Sequence, residues 1–261
     1  MHKFAYYPGC TLSTTAAEMD RYARKAAEIL GLELYDIDDW QCCGAMFPMG
    51  TDEVAPKLAV IRALATAKGM GMPLLTLCAA CHHVFKQINH QVRTDAALME
   101  TVVKYDNELE YDGGTEVLHY IEALRDHVGF DALKEKVANT FAGKKIGAYY
   151  GCMLLRPGEV MQFDDVENPV VFEDFLRAIG AEPVVYPYRN ECCGSLQALR
   201  NTDKVTKLTS TLASSAEKKG AEALVTSCPL CRYNIDEFSG GVLPVYYFTE
   251  LLADALHRDE N

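Results

Sequence analysis

Glu191-Cys192-Cys193-Gly194 and the earlier Gln41-Cys42-Cys43-Gly44 decide how this chain is read. Two adjacent cysteines followed by glycine occur twice, and three more cysteines surround each pair at corresponding places. Cys10, Cys42, Cys43, Cys78 and Cys81 form the first set. Cys152, Cys192, Cys193, Cys228 and Cys231 form the second, and the two sets account for all 10 cysteines of the 261 residues. Between the vicinal pair and the C-x-x-C lie 34 residues in both halves (44–77 and 194–227). Between the first cysteine and the pair lie 31 residues in one half (11–41) and 39 in the other (153–191), so only that connection has accepted an insertion.

The flanking landmarks repeat in the same order. Lys3-Phe4-Ala5-Tyr6-Tyr7 is a β-prone run ending at Pro8-Gly9-Cys10, as Lys145 to Tyr150 ends at Gly151-Cys152. Met19, Tyr22, Ala23, Ala26 and Leu30 recur at helical spacing, with Thr14 or Thr15 available as cap and Gly31 as stop. Leu32 to Ile37 reads as a strand into Cys42-Cys43, Glu53 to Lys68 as a helix with Pro56 in its first turn, and Pro73 to Leu77 as a strand into Cys78-Ala79-Ala80-Cys81. The pattern predicts a helix from His82 to Val92, and polar-faced helix from Thr94 to Asn139 broken at Tyr111–Thr115. In the second half, helix at Phe172–Ile179, strand at Glu182–Tyr186, helix at Thr202–Lys219 and strand at Ala223–Ser227 replay the first. Leu118–Leu124 and Val245–Leu252 read as matching short amphipathic helices. Two copies of one unit are too few for a solenoid.

Strand, helix, strand, helix, strand in each half predicts parallel pairing with right-handed crossovers. The expected fold is α/β: two homologous tandem domains, residues 1–142 and 143–261, each a small parallel sheet with flanking helices, related by pseudo-two-fold symmetry. Ligands of such sheets collect beyond the carboxyl ends of the strands. Every cysteine group follows a predicted strand, so three strand ends per half are expected to bring five thiols to one edge.

Composition narrows the functional classes. With 49% hydrophobic and 24% charged residues the chain has the balance of an ordinary globular protein. A formal net charge of −12 argues against nucleic acid and against electrostatic binding to anionic membranes. No stretch has the apolar length of a membrane span, and the N-terminus lacks a signal-peptide core. A cytoplasmic location is the expectation, and there the reducing environment disfavours structural disulfides.

Ten thiols then call for metal or redox chemistry. A lone cysteine is usually a buried small hydrophobe, but that does not account for vicinal pairs and C-x-x-C units in both halves. Structural zinc takes four ligands, and each half offers five. A thiol–disulfide relay at the C-x-x-C leaves the vicinal pair unused. Iron–sulfur ligation fits best, since thiolate is its usual donor. Helices starting after Cys10 and Cys81 would aim their positive ends at the sulfurs. Gly9, Gly44, Gly151 and Gly194 would let backbone pass close to a bulky group.

The pattern Cys10…Cys42-Cys43-Gly44…Cys78-x-x-Cys81, repeated as Cys152…Cys192-Cys193-Gly194…Cys228-x-x-Cys231, resembles the tandem CCG-domain (cysteine-rich domain) family over essentially the whole chain. Within it the chain is most similar to the B-subunits of heterodisulfide reductases. The resemblance implies two noncubane [4Fe-4S] clusters, one on each five-cysteine set, and a catalytic role in reducing a small disulfide to two thiols. It implies a C-like iron–sulfur partner protein and an A-like flavoprotein partner of the same complex as the source of electrons. The sequence itself has no G-x-G-x-x-G after a strand and no ferredoxin-like cysteine run. The alternative is an iron–sulfur electron-transfer subunit of a lactate/glycolate-type or other dehydrogenase complex. A third reading is a zinc-stabilised scaffold.

Around the cysteines, His82 or His83 could donate to a cluster sulfur or to product, against the plainer reading of a helix-face histidine. Arg156 and Arg232 could hold anionic substrate groups, against that of surface cations. Trp40 is expected to shield the first site, and one tyrosine of each pair Tyr6-Tyr7 and Tyr149-Tyr150 to be core.

Overall fold

The computed structural model describes residues 1–45 and 54–257. The first half runs β1 (His2–Tyr7), α1 (Gly9–Leu12), α2 (Ala17–Leu30), β2 (Leu32–Asp36), α3 (Ala55–Gly69), β3 (Leu74–Thr76), α4 (Ala79–Thr94), α5 (Ala96–Tyr105), β4 (Val117–His119), α6 (Tyr120–Ala123) and α7 (Phe130–Lys136). The second runs β5 (Lys145–Ala148), α8 (Gly158–Met161), α9 (Val171–Ala178), β6 (Glu182–Val184), α10 (Thr202–Lys218), β7 (Ala223–Thr226), α11 (Pro229–Phe238), β8 (Val245–Tyr247) and α12 (Phe248–Leu256). Two four-stranded, all-parallel sheets result, ordered β2-β1-β3-β4 and β6-β5-β7-β8. This is the expected α/β architecture of two like units, with one more strand in each.

The extra strands correct the sequence reading. Val117–His119 and Val245–Tyr247 are strands that run straight into α6 and α12 through capping boxes, in which Glu122 and Glu250 accept from the backbone N–H of His119 and Tyr247. Val117–His119 is buried on both faces and carries no alternation, and its apolar run merges with that of the helix behind it. Sheet burial on both faces also explains why Tyr6, Tyr7, Tyr149 and Tyr150 are all core, where one of each pair was expected.

Other boundaries move for local reasons. Neither Thr14 nor Thr15 caps α2; its N-cap is Ala16, and the Thr14 hydroxyl donates back to the Cys10 carbonyl. Gly31 ends α2 at φ 75°, a conformation glycine adopts without penalty. Pro56 sits in the first turn of α3, while the expected start at Glu53 lies outside the described residues. α4 starts at Ala79, three residues before the expected His82, because Cys78 serves as N-cap.

The two halves exchange their last helices. α7, from the first half, lies on α9 of the second, and α12, from the second, lies along α2 of the first. The backbone N–H groups of Ala138 and Asn139 both donate to the Ala255 carbonyl (2.8 and 3.0 Å), tying the end of one half to the last helix of the other. Phe248, fully buried, gathers His119 and Tyr120 from one half and Phe172 and Phe175 from the other at ring separations of 5.8 to 6.1 Å. The reciprocal exchange is the relation a pseudo-two-fold axis produces, and it fuses the repeats around one core.

Candidate metal centre

Strand order places the thiols. In each sheet the chain leaves the first strand toward one edge and returns on its other side, so the crevice beyond the carboxyl ends lies between β1 and β3, and between β5 and β7. Cys10 follows β1, Cys42 and Cys43 follow β2, and Cys78 and Cys81 open α4 after β3. The second set follows β5, β6 and β7 likewise.

The thiols meet as expected. Cys42 Sγ is 3.5 Å from Cys10 Sγ, and Cys43 Sγ is 3.3 Å from Cys81 Sγ. In the second half Cys193 Sγ is 3.5 Å from Cys231 Sγ, and Cys152 interacts with Cys192. Cys78 and Cys228 face each other across the boundary closely enough to shift each other's acidity. The ten thiols therefore form one continuous array, with Cys10 exposed at one end, Cys152 half-buried at the other, Cys42 and Cys192 half-buried next to them and six buried sulfurs between. Among the described residues no three His, Cys, Asp or Glu side chains surround a single ion position; the sulfurs adjoin one another in series.

Backbone donors accompany the sulfurs. The N–H groups of Gly194 and Ser195 donate to Cys192 Sγ (3.3 Å) and Cys193 Sγ (3.4 Å). Those of Gly44 and Ala45 do the same for Cys42 and Cys43, and those of Ala80 and Cys81 for Cys78, at the positive end of α4. Hydrogen bonds from Cys42 and Cys81 lower the Cys43 thiol to about 4 despite burial. Those from Cys152 and Cys193 lower Cys192 to about 2. In each half one sulfur of the vicinal pair is thus favoured as thiolate, the form that binds metal. Gly9, Gly44, Gly151 and Gly194 all have φ between 66° and 99°. A Cβ on Gly9 would stand 3.3 Å from Cys81 Sγ, and one on Gly151 3.4 Å from Cys231 Sγ.

The neighbouring side chains differ between halves. His82, after Cys81, is completely buried rather than on an exposed helix face. Burial pushes its pKa far down, so the neutral ring lies 3.4 Å from Glu122 without forming an ion pair, and neither ring nitrogen has a hydrogen-bond partner among the described residues. His83 Nδ1 lies 3.1 Å from the Met153 carbonyl, beside Cys152 of the other half. The longer connection of the second half closes this side: α8 lies against α4, and Phe163 packs edge-on against His82 and His119.

Arg232, the counterpart of His82, pairs with Glu250 and Asp236 and stacks 4.3 Å over the Tyr247 ring. It lines a cavity of about 470 Å³ between the halves, with Thr11 and Thr15 on one wall and Pro229, Leu230 and Tyr247 on the other. Thr11 adjoins Cys10, and Pro229 and Leu230 separate Cys228 from Cys231. A larger cavity, about 560 Å³, lies near the amino ends of β5, β7 and β8, and no cysteine lines it. Arg156 stands away from both: its guanidinium donates to the Asn190 carbonyl (2.7 Å) and to Glu167, bracing loops of the second half. Trp40 is partly buried edge-on to Tyr7, whose hydroxyl donates to the Gln41 carbonyl beside Cys42.

Glu122 and Asn234 escaped the sequence reading. Burial pushes the Glu122 carboxyl up to about 7, while the His119 N–H, Lys86 and Arg125 pull it down and Asp126 adds to the rise. A carboxyl with its folded pKa above the unfolded value of about 4.5 binds its proton more tightly in the folded chain. Its contribution therefore declines as pH rises from about 4.5 through 7. Glu122→Gln keeps an oxygen for the His119 N–H. It is expected to exceed wild type by on the order of 2 kcal/mol near pH 8 and by little near pH 5. Denaturant midpoints at both pH values check this, and equal decline in both proteins would contradict it.

The cysteine-rich domain model named CCG matches residues 4–86 and 146–236, once on each half. The chain belongs to the CCG cysteine-rich domain family. A relative from Wolinella succinogenes, named 8-methylmenaquinol:fumarate reductase membrane anchor subunit, is 31% identical to this CCG protein over 97% of this chain and 92% of its own length. A protein of Archaeoglobus profundus, named as like the B-subunit of heterodisulfide reductase, is 30% identical over 91% and 82%. The B-subunit of the ferredoxin:CoB-CoM heterodisulfide reductase of Methanosarcina mazei is 25% identical over 98% and 90%. Among solved structures, a hypothetical protein from Helicobacter pylori superposes with a TM-score of 0.76 at 11% identity over 99% of this chain. The chain spans about half (49%) of that protein's length, and the likeness shows the fold alone. Among the described residues of this CCG protein no helix is long and apolar enough to cross a membrane.

Proposed function

We propose that this CCG protein is the catalytic iron–sulfur subunit of a heterodisulfide reductase-like complex, holding two noncubane [4Fe-4S] clusters and reducing a small disulfide to two thiols. The continuous ten-thiol array beside an open cavity carries this reading. The residues fit such a group. Each half offers five sulfur donors backed by N–H groups, and glycines stand where a Cβ would press on a ligand sulfur. Cys10, Cys42, Cys43, Cys78 and Cys81 would hold one cluster, and Cys152, Cys192, Cys193, Cys228 and Cys231 the other. When bound, the clusters supply single electrons, two of which break one S–S bond.

The chain's own groups supply placement. The cavity next to Cys10 and the Cys228–Cys231 turn admits a small molecule to the array from one side, while α8 and Phe163 close the other. Arg232, Thr11, Thr15, Tyr233 and Tyr247 bring donors to that cavity, and Glu18 and Asp236 line it as well. Arg232 already faces two carboxylates, so it would orient an anionic substrate group rather than attract it from a distance. His82 is sealed from the cavity side and would act only through Glu122. Ten unpaired thiols favour a reducing compartment such as the cytoplasm. Electrons would come from the C-like iron–sulfur and A-like flavoprotein partners.

One observation favours a second reading. The relative at 31% identity is named as part of a quinol:fumarate reductase, which suits an electron-transfer role in a complex whose chemistry lies on another chain. Anaerobically prepared protein, reduced by a low-potential dye and given a panel of small disulfides, is expected to release two thiols per disulfide consumed. Reoxidation by a partner or quinone, with no disulfide ever turned over, would reject the first reading in favour of the second.

A further inference from the structure

The two five-thiol sites are built alike, and among the side chains that differ between them is one buried amide donor. Cys78 caps α4 as Cys228 caps α11, so the residues three beyond Cys81 and Cys231 correspond. They are Val84 and Asn234. Asn234 is fully buried, and its Nδ2 lies 3.1 Å from the Ser195 carbonyl, 3.4 Å from the Cys193 carbonyl and 3.5 Å from Cys193 Sγ. Two carbonyl acceptors fix the amide orientation, because only the NH₂ end can face them. The NH₂ group shares its two hydrogens among these three acceptors, and one of them is Cys193 Sγ, a central ligand sulfur of the second site. Val84 offers nothing comparable.

We infer that Asn234 sets the electron affinity of the second site alone and makes the two sites unequal, the second being the stronger acceptor; this rests on the iron–sulfur reading above. Reduction adds negative charge to a thiolate-ligated centre, and a desolvated N–H aimed at a ligand sulfur stabilises the more negative state. Competing features are weaker. Thr11 Oγ1 lies 3.7 Å from Cys10 Sγ, but at the exposed end of the array, where water offers the same donor. The Arg232 charge beside the second site is offset by Glu250 and Asp236. Cys152 is less exposed than Cys10, which opposes the effect, but this concerns one rim sulfur of five. The backbone donors to the vicinal pairs are present in both halves. Unequal sites give successive electrons an order: the second site fills first, and the first delivers the more reducing electron.

The test is a redox titration of the full-length, anaerobically prepared protein followed by EPR, with iron content measured on each sample. Wild type is expected to reduce in two separable one-electron steps. Asn234→Val is expected to disfavour the easier step about tenfold, about 59 mV by the one-electron conversion, and to leave the other in place. Val84→Asn is expected to favour the harder step by a similar factor, and it decides the matter if Asn234→Val does not retain iron. Full iron content with neither step moved, or both moved equally, would overturn this inference alone. Wild-type protein that binds no iron would overturn the iron–sulfur reading and this inference with it.

Discussion

Cys193→Ala is expected to remove about half of the bound iron and acid-labile sulfide while the other half keeps its spectroscopic signature. Cys193 is 2% exposed and lies at the centre of the second set. Its sulfur adjoins Cys231 and receives the Ser195 N–H and the Asn234 amide, so its loss separates Cys192 from the C-x-x-C sulfurs. The first set hangs from a different sheet, β2-β1-β3-β4, and its Cys43–Cys81 contact involves no residue of the second half. Loss should therefore be local. Retention of all iron would show that Cys193 is no ligand. Loss of all iron would show that the two sites assemble as one unit through the Cys78–Cys228 junction.

The second large effect concerns the joint between the repeats. Phe248→Ala is expected to destabilise the protein by about 3–5 kcal/mol, the range for a fully buried phenylalanine whose cavity does not collapse. That is a large share of the about 5–15 kcal/mol typical of a native protein. Phe248 bridges rings from both halves, and the helix it begins lies along α2 of the first repeat. Each sheet depends on a helix from the other repeat, so unfolding should remain a single transition at a lower denaturant midpoint. A shift below about 1 kcal/mol, or the appearance of two transitions, would mean that the halves are stable apart.

Much of this architecture was legible because the chain states it twice. Cysteine groups at corresponding places after β-prone runs in both halves imply parallel strands with their carboxyl ends on one edge, and the structure puts Cys10, Cys43 and Cys81 there. The short last strand of each sheet was not legible. Val117–His119 and Val245–Tyr247 are too brief to show a period that would distinguish them from the helices they enter. The exchange of α7 and α12 was hidden for a related reason: an apolar helix face says that it is covered, not which repeat covers it. His82, Arg156 and Arg232 were singled out by adjacency to cysteines, which is blind to direction. The structure seals His82 against Glu122, sends Arg156 to Asn190 and Glu167, and brings only Arg232 to a cavity. Asn234 could have been found by aligning the two repeats on their C-x-x-C motifs and asking where a polar residue replaces an apolar one near a ligand.

That each five-thiol set holds an iron–sulfur cluster of its own is tested most directly by iron and sulfide content with low-temperature EPR on anaerobically prepared wild-type protein. The expected result is about four irons per set, with matching sulfide and a signal distinct from an ordinary cubane. Stoichiometric zinc without iron, or a cubane signal alone, would contradict it.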